Sequence, residues 1–322
     1  IAVSGNVIGD VLCKGGNTGI ATFTVSGFSG TGTYSYSING ATAVTGQSAT
    51  TINLANKLAG TYAILITDEG TGCTANASVT ITEPTALVVT SAVATNVNCK
   101  NDNSQITVVA TGGTMNYTYG ALVAGSTATP VYSSSNLVVV DTNNATDLSW
   151  DVYVKDANGC VAIVTVPVAI DNLPTVTASV NNQCTGSGGN FTIIAVGTGL
   201  APLTYSINGT TFQTSATFTV APNSYTITVK DKNGCTAQTL SPIVVYPEMT
   251  VTAVLTKDLD CSTSPNAIIT INTSGGKAPF GYRVKIGSGT YSGSPIAFGG
   301  TSFTYTTSAA NTFQFEITDT NG

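Results

Sequence analysis

The chain has 322 residues, 42% hydrophobic and 8% charged, with ten Lys and Arg, sixteen Asp and Glu, and no His. That length exceeds one ordinary β-sandwich and predicts two to four domains. A net charge of −6 offers no basic surface for nucleic acid, no apolar run reaches the length of a bilayer span, and the missing imidazole removes Ser-His-Asp, Cys-His and His-metal chemistry.

With so little charge, polarity falls to Thr, Ser, Asn and Gly, and the β-branched Thr and Val favour strands over helices. Ile1 opens directly into strand-like sequence without a signal-peptide pattern, which reads as an internal piece of a longer protein. In chain order, the first predicted strand pattern is Phe23-Thr-Val25, followed by Tyr34 to Gly40, whose Asn39-Gly40 pair signals a hairpin. An alternating strand from Tyr62 to Ile66 then runs into a turn at Asp68 and Cys73, and a strand at Val79–Ile81 ends at Pro84. The same succession returns from Ile106, through Tyr117, Trp150–Val154 and Asp156–Cys160, to Val166–Val168 and Pro174. It returns again from Phe191, through Leu203–Gly209, Tyr225–Val229 and Asp231–Cys235, to Ile243–Val245 and Pro247. A fourth pass runs from Ile269 through Phe280–Val284 and Phe313–Ile317 to Asp319 and Gly322, without the final strand.

The aromatic six residues before each Asp (Tyr62, Trp150, Tyr225, Phe313) shares a face with the two aliphatics that follow it, and that face is the expected core. Proline cannot donate to a ladder and fixes its own φ, so each inter-repeat proline reads as a boundary. The predicted domains are 1–83, 84–173, 174–247 and 248–322, each a Greek-key sandwich of immunoglobulin or fibronectin type in an elongated all-β array, the fourth lacking its last strand.

The seven cysteines alternate long and short gaps, which predicts the pairs Cys13–Cys73, Cys99–Cys160 and Cys184–Cys235, with Cys261 bonded to a residue beyond Gly322. Each such loop of fifty to sixty residues contributes about 4 kcal/mol in the chain-entropy model. Pairing across the short gaps, as in Cys73–Cys99, is the alternative and links neighbouring modules. Without CxxC or His a zinc site is excluded, and a disulfide in every repeat implies an oxidising, extracellular compartment.

Several of these motifs together resemble SprB-type repeats. They are Gly275-Gly276-Lys-Ala-Pro279-Phe280, the Tyr-Ser-Ile-Asn-Gly hairpins at 36–40 and 205–209, Ala59-Gly60-Thr-Tyr62, Asp-x-Asn-Gly-Cys at 156–160 and 231–235, and Ile-x-Glu-Pro at 81–84. The second module departs from the pattern, with no proline before Tyr117 and a longer middle section from Ala121 to Asp147. Such repeats belong to large surface proteins of the Bacteroidetes, typified by the gliding-motility adhesin. The resemblance implies export through a type IX-like system and display as a filament on the cell surface.

No residue set points to catalysis or a cofactor. The carboxylate pairs Asp68–Glu69 and Asp258–Asp260 fall in apparent turns, where Asp bonds nearby backbone. Asp68, Asp156, Asp231 and Asp319 are weak calcium candidates, since one acid per turn falls short of six to eight oxygens. Tyr153 alternates out of phase with Trp150, Val152 and Val154 and is the candidate for stacking a sugar. Six glycosylation sequons, at Asn76, Asn116, Asn144, Asn190, Asn208 and Asn272, are what a chain rich in Asn and Thr produces by chance. The expected function is a non-enzymatic stalk or adhesin segment whose partners are neighbouring repeats. The alternatives are a module binding surface polysaccharide and a self-assembling filament subunit that accepts a donated strand.

Overall fold

The computed structural model describes residues 1–28, 32–181, 183–184, 189–260 and 266–321, and these contain strands and turns without helix. By compactness the chain divides into two units, Ile1–Val97 with Asn101–Ile170, and Asn98–Lys100 with Asp171–Gly322.

The first unit opens with β1 (Ala2–Gly9), β2 (Gly19–Ser26), β3 (Tyr34–Ile38), β4 (Val44–Gln47), β5 (Thr51–Lys57), β6 (Gly60–Asp68) and β7 (Thr74–Ile81). These form two antiparallel sheets, β1-β2-β5 and β4-β3-β6-β7. That is the Greek-key arrangement, with the chain crossing between sheets after β2, β4 and β5. Period-two alternation buries one face of each inner strand: Ala21, Phe23 and Val25 of β2 meet Ile64 and Ile66 of β6 in one core. Asn39 and Gly40 both take positive φ, as the predicted hairpin requires.

The same order follows in β8 (Val88–Ala94), β9 (Asn103–Thr111), β10 (Thr118–Val123), β11 (Leu137–Asp141), β12 (Ser149–Lys155) and β13 (Val161–Pro167). The sheets are β11-β9-β8 and β10-β12-β13, with a lone bridge, Tyr119 to Ser133, in place of a strand equivalent to β4. Ile106, Val108, Val152 and Val154 fill this core.

In the second unit come β14 (Thr175–Asn181), β15 (Phe191–Thr198), β16 (Thr204–Ser206), β17 (Thr217–Val220), β18 (Asn223–Tyr225), β19 (Thr228–Lys230), β20 (Thr236–Gln238) and β21 (Ile243–Val245). The strand predicted over Tyr225–Val229 is here split into β18 and β19, which pair with β21 and β20 respectively. Last come β22 (Thr250–Lys257), β23 (Ala267–Ser274), β24 (Phe280–Ile286), β25 (Ile296–Phe298), β26 (Ser302–Thr307) and β27 (Phe313–Thr318), in sheets β22-β23-β26 and β25-β24-β27. Among the described residues nothing takes the place that β7 has beside β6. An apolar cleft lined by Ala253, Leu255, Ala267, Ile269, Phe313 and Phe315 lies open there, and Val254 and Leu255 of β22 are exposed. The core beside it is aromatic, with Tyr282 and Phe303 stacked at 4.1 Å and Phe298 tilted against Phe303 at 4.6 Å.

The four aromatics expected in the core are only half-buried. Tyr62, Trp150 and Tyr225 pack against the cores from the side, and their polar atoms explain why. The Tyr62 hydroxyl donates to Leu58 O at 3.0 Å, the Tyr225 hydroxyl to Ala221 O at 2.8 Å, and Trp150 Nε1–H to Asp147 O at 2.9 Å. Each clamps the corner by which the chain enters its strand, as the tyrosine corner does in immunoglobulin domains. Phe313, with no polar atom, instead meets the Tyr305 ring at 5.6 Å.

Candidate functional site

Two loops recur in the first three sandwiches. One connects the first two strands and carries the first cysteine; the other is the Asp-initiated turn that leads into the last sheet edge and carries the second.

The Asp turn is built by its carboxylate. Asp156 Oδ1 accepts from Asn158 N–H at 2.9 Å and Cys160 N–H at 2.8 Å, and its Oδ2 reaches across to Thr114 N–H at 2.9 Å. Asp319 repeats this with Asn321 N–H at 2.8 Å and Lys277 N–H at 2.7 Å. Asp68 and Asp231 are likewise buried, Asp68 Oδ1 accepting from Gly70 N–H at 2.9 Å and Asp231 Oδ1 from Cys235 N–H at 2.8 Å. The four calcium candidates thus direct oxygens at backbone amides of their own fold, and no group of three His, Cys, Asp or Glu gathers among the described residues.

The first-cysteine loop is held at the far end of the last strand. In the first sandwich Val11 N–H donates to Thr82 O at 2.9 Å, Thr82 N–H to Asp10 Oδ1 at 2.7 Å, and Gly15 N–H to Glu83 Oε2 at 2.7 Å, while Lys14 Nζ pairs with the same carboxylate. The Lys14 side chain, then the Gly15 N–H, hold the Glu83 carboxyl below its ordinary value. In the second, Val97 N–H donates to Ala169 O at 2.9 Å; in the third, Gln183 Nε2–H donates to Tyr246 O at 2.7 Å.

These placements overturn the expected disulfides. Cys73 precedes the start of β7, whereas Cys13 sits beside its end, and an eight-residue strand is about 25 Å long. A disulfide needs Cα atoms roughly 4.4–6.8 Å apart, so the two cysteines of one sandwich cannot meet. Cys13 is bonded instead to Cys160, with Cα atoms 5.7 Å apart, and Cys99 to Cys235, at 5.8 Å. The loop at the exit end of one sandwich is joined to the Asp turn at the entry end of the next. Cys13–Cys73, Cys99–Cys160 and Cys184–Cys235 are therefore not formed, nor is the short-gap alternative Cys73–Cys99. Cys73 and Cys184 are exposed thiols, while Cys261 and its expected bond lie outside the described residues.

The bonded loops also meet through polar contacts. Asn158 Nδ2–H donates to Leu12 O at 3.1 Å and to Thr114 Oγ1 at 2.9 Å. Cys184 Sγ lies 3.7 Å from Asn321 O, in the fourth Asp turn. Tyr153, the stacking candidate, is half-buried opposite Gly120. Neighbouring Tyr132 lies under Lys155 Nζ at 4.1 Å, and burial, then the Tyr153 phenol, pushes the Tyr132 phenol up.

Solved structures similar to this chain carry serial domains. The N-terminal eight immunoglobulin domains of the Down syndrome cell adhesion molecule align at 13% identity over 98% of this chain and 54% of that one, with a TM-score of 0.25. This chain thus spans about half of that structure's length. A tetra-tandem repeat in the extending region of a large adhesion protein aligns at 12% identity over 94% and 90% of the two chains, with a TM-score of 0.26. The FN1–FN3 domains of chicken CNTN1 align at 12% identity over 84% and 92%, with a TM-score of 0.25. Among curated proteins nothing matches. Residues 5–43 and 91–120 match the SprB repeat family model, so these two segments are similar to SprB repeats.

Proposed function

We propose that this chain is a structural stalk segment of a secreted surface protein, built from modules 1–83, 84–173, 174–247 and 248–322, that sets a binding region at a distance from its anchor. The observation that carries this reading is the way each sandwich grips the connection leading into it. Gly113 N–H donates to Thr85 O at 2.8 Å and Gly276 N–H to Pro247 O at 2.8 Å, while an added Cβ on Gly199 would meet Pro174 at 3.0 Å. Connections that are short, carry proline and are bonded to the following sandwich favour a semi-rigid array over a flexible string.

The resemblance to SprB repeats extends the proposal to export through a type IX-like system, display on the cell surface and a setting in gliding motility. The disulfides fit that oxidising compartment. Small-angle scattering tests the stalk: a maximum dimension on the order of 120–160 Å is expected from four end-to-end sandwiches, and a compact globule overturns it. Binding of the 322-residue chain on a glycan array would move the reading to a polysaccharide-binding module. Concentration-dependent polymerisation through the open edge of β27 would move it to a strand-accepting filament subunit.

A further inference from the structure

We infer that the disulfides make this segment a tension-carrying cable, in which pulling force bypasses the cores of the first and third sandwiches through a covalent route closed by two sulfur bridges. The inference rests on the stalk reading and adds to it how the stalk bears load. Cys13 lies a few residues after β1, the first strand of its sandwich, and Cys160 immediately precedes β13, the last strand of the next. With this bond alone, the shortest covalent route through both therefore consists of β1, the Cys13–Cys160 bridge and β13. Everything from β2 to β12 lies outside it, in a loop closed by a bond across 147 residues. Were that loop in series with the load, unfolding it would lengthen the chain by about 500 Å.

The second bond keeps the same register one sandwich further on. Cys99 follows β8, Cys235 precedes β20, and 136 residues lie between them. A third junction repeats the placement, because Cys184 follows β14 and its Sγ touches the backbone of the fourth Asp turn. The two bonds interleave, and the shortest covalent route between the chain ends runs through β1, Cys13–Cys160, back along β12 to β9, and through Cys99–Cys235 to β20 and onward. It leaves β2–β8 and β13–β19 outside, which spares the inner strands of the first and third sandwiches. A module linked by backbone alone lengthens when it unfolds under load; a module wired in this way does not.

Single-molecule pulling on the full 322-residue chain, held at its two ends, tests this. In the oxidised protein the first sandwich should give no unfolding step. Reduction with a phosphine should reveal that step and raise the final extended length about twofold, because the two bonds together take about half of the chain out of the covalent route. The double variant Cys13→Ser/Cys160→Ser should restore the first sandwich's step, about 250 Å, without reductant. Equal steps and equal final lengths in oxidised and reduced protein overturn the cable. Should the variant fail to fold, the final length of the wild-type chain before and after reduction still decides. A compact particle in scattering defeats the stalk while leaving the pulling result intact, and a first-sandwich step released without reduction defeats the cable while leaving an elongated stalk.

Discussion

At the scale of single residues, Asp156 and Asp319 tie their turns to the glycine turn between the second and third strands. Asp156 satisfies three backbone N–H groups, whereas Asp231 Oδ2 is buried and unpartnered. The difference traces to the glycine turn. Gly112 and Gly275 take φ of 78° and 79°, but Thr198 stands at the matching position of the third repeat, and a β-branched residue is excluded from that region. Asp156→Ala is therefore expected to cost about 2–4 kcal/mol by stranding amides. Asp231→Ala, which forfeits fewer bonds, should cost about 1 kcal/mol, and urea denaturation of the two variants compares them directly. Gly112 is also irreplaceable on space, since an added Cβ would lie 1.9 Å from Ala86 O. Gly112→Ala should detach the connection around Ala86; protease cleavage between Pro84 and Leu87, absent in wild type, would report it.

At the scale of elements, the corner clamps and the first-cysteine loops hold strand ends where packing alone would let them fray. Tyr225→Phe keeps the ring and removes only the hydroxyl bonded to Ala221, so a loss of about 1 kcal/mol is expected. The loop carrying Cys13 is anchored on Glu83, whose folded value is depressed. Such a group contributes fully above its unfolded value of about 4.3, and the contribution disappears as pH falls through the lower folded value. Glu69, held down by the Gly46 N–H and the Thr33 side chain, and Asp151, held down by the Thr165 hydroxyl and the Gly125 N–H, act in the same direction. The melting temperature should stay level from neutral pH to about 5 and fall below about 4. Glu83→Gln should make that acid limb shallower.

At the scale of the whole molecule, the disulfides close far longer loops than the intramodular pairing expected from sequence. Separations of 147 and 136 residues place each bond near 5 kcal/mol in the chain-entropy model, about 1 kcal/mol above the expected pairs. Reduction should lower the melting temperature of sandwiches joined by a bridge. Peptide mapping without reduction should recover Cys13 linked to Cys160 and Cys99 linked to Cys235. A Cys13–Cys73 peptide would sink the register and the cable with it.

The all-β class and the identity of the inner strands were legible in the sequence, because they depend on local properties. Period-two alternation around Phe23, Ile106, Ile193 and Ile271, the Asn39-Gly40 hairpin and the Asp turns each express a preference a few residues long. The half-buried setting of Tyr62, Trp150 and Tyr225 was missed, since alternation tells which face a residue occupies and not that its polar atom must reach a carbonyl. Cysteine partnership was beyond the sequence for a different reason. Spacing in the chain groups Cys13 with Cys73, but antiparallel strands reverse direction at every turn and carry the two to opposite ends of β7. Which thiol comes within bonding distance is a property of sandwiches set in succession, and the tertiary structure alone decided it.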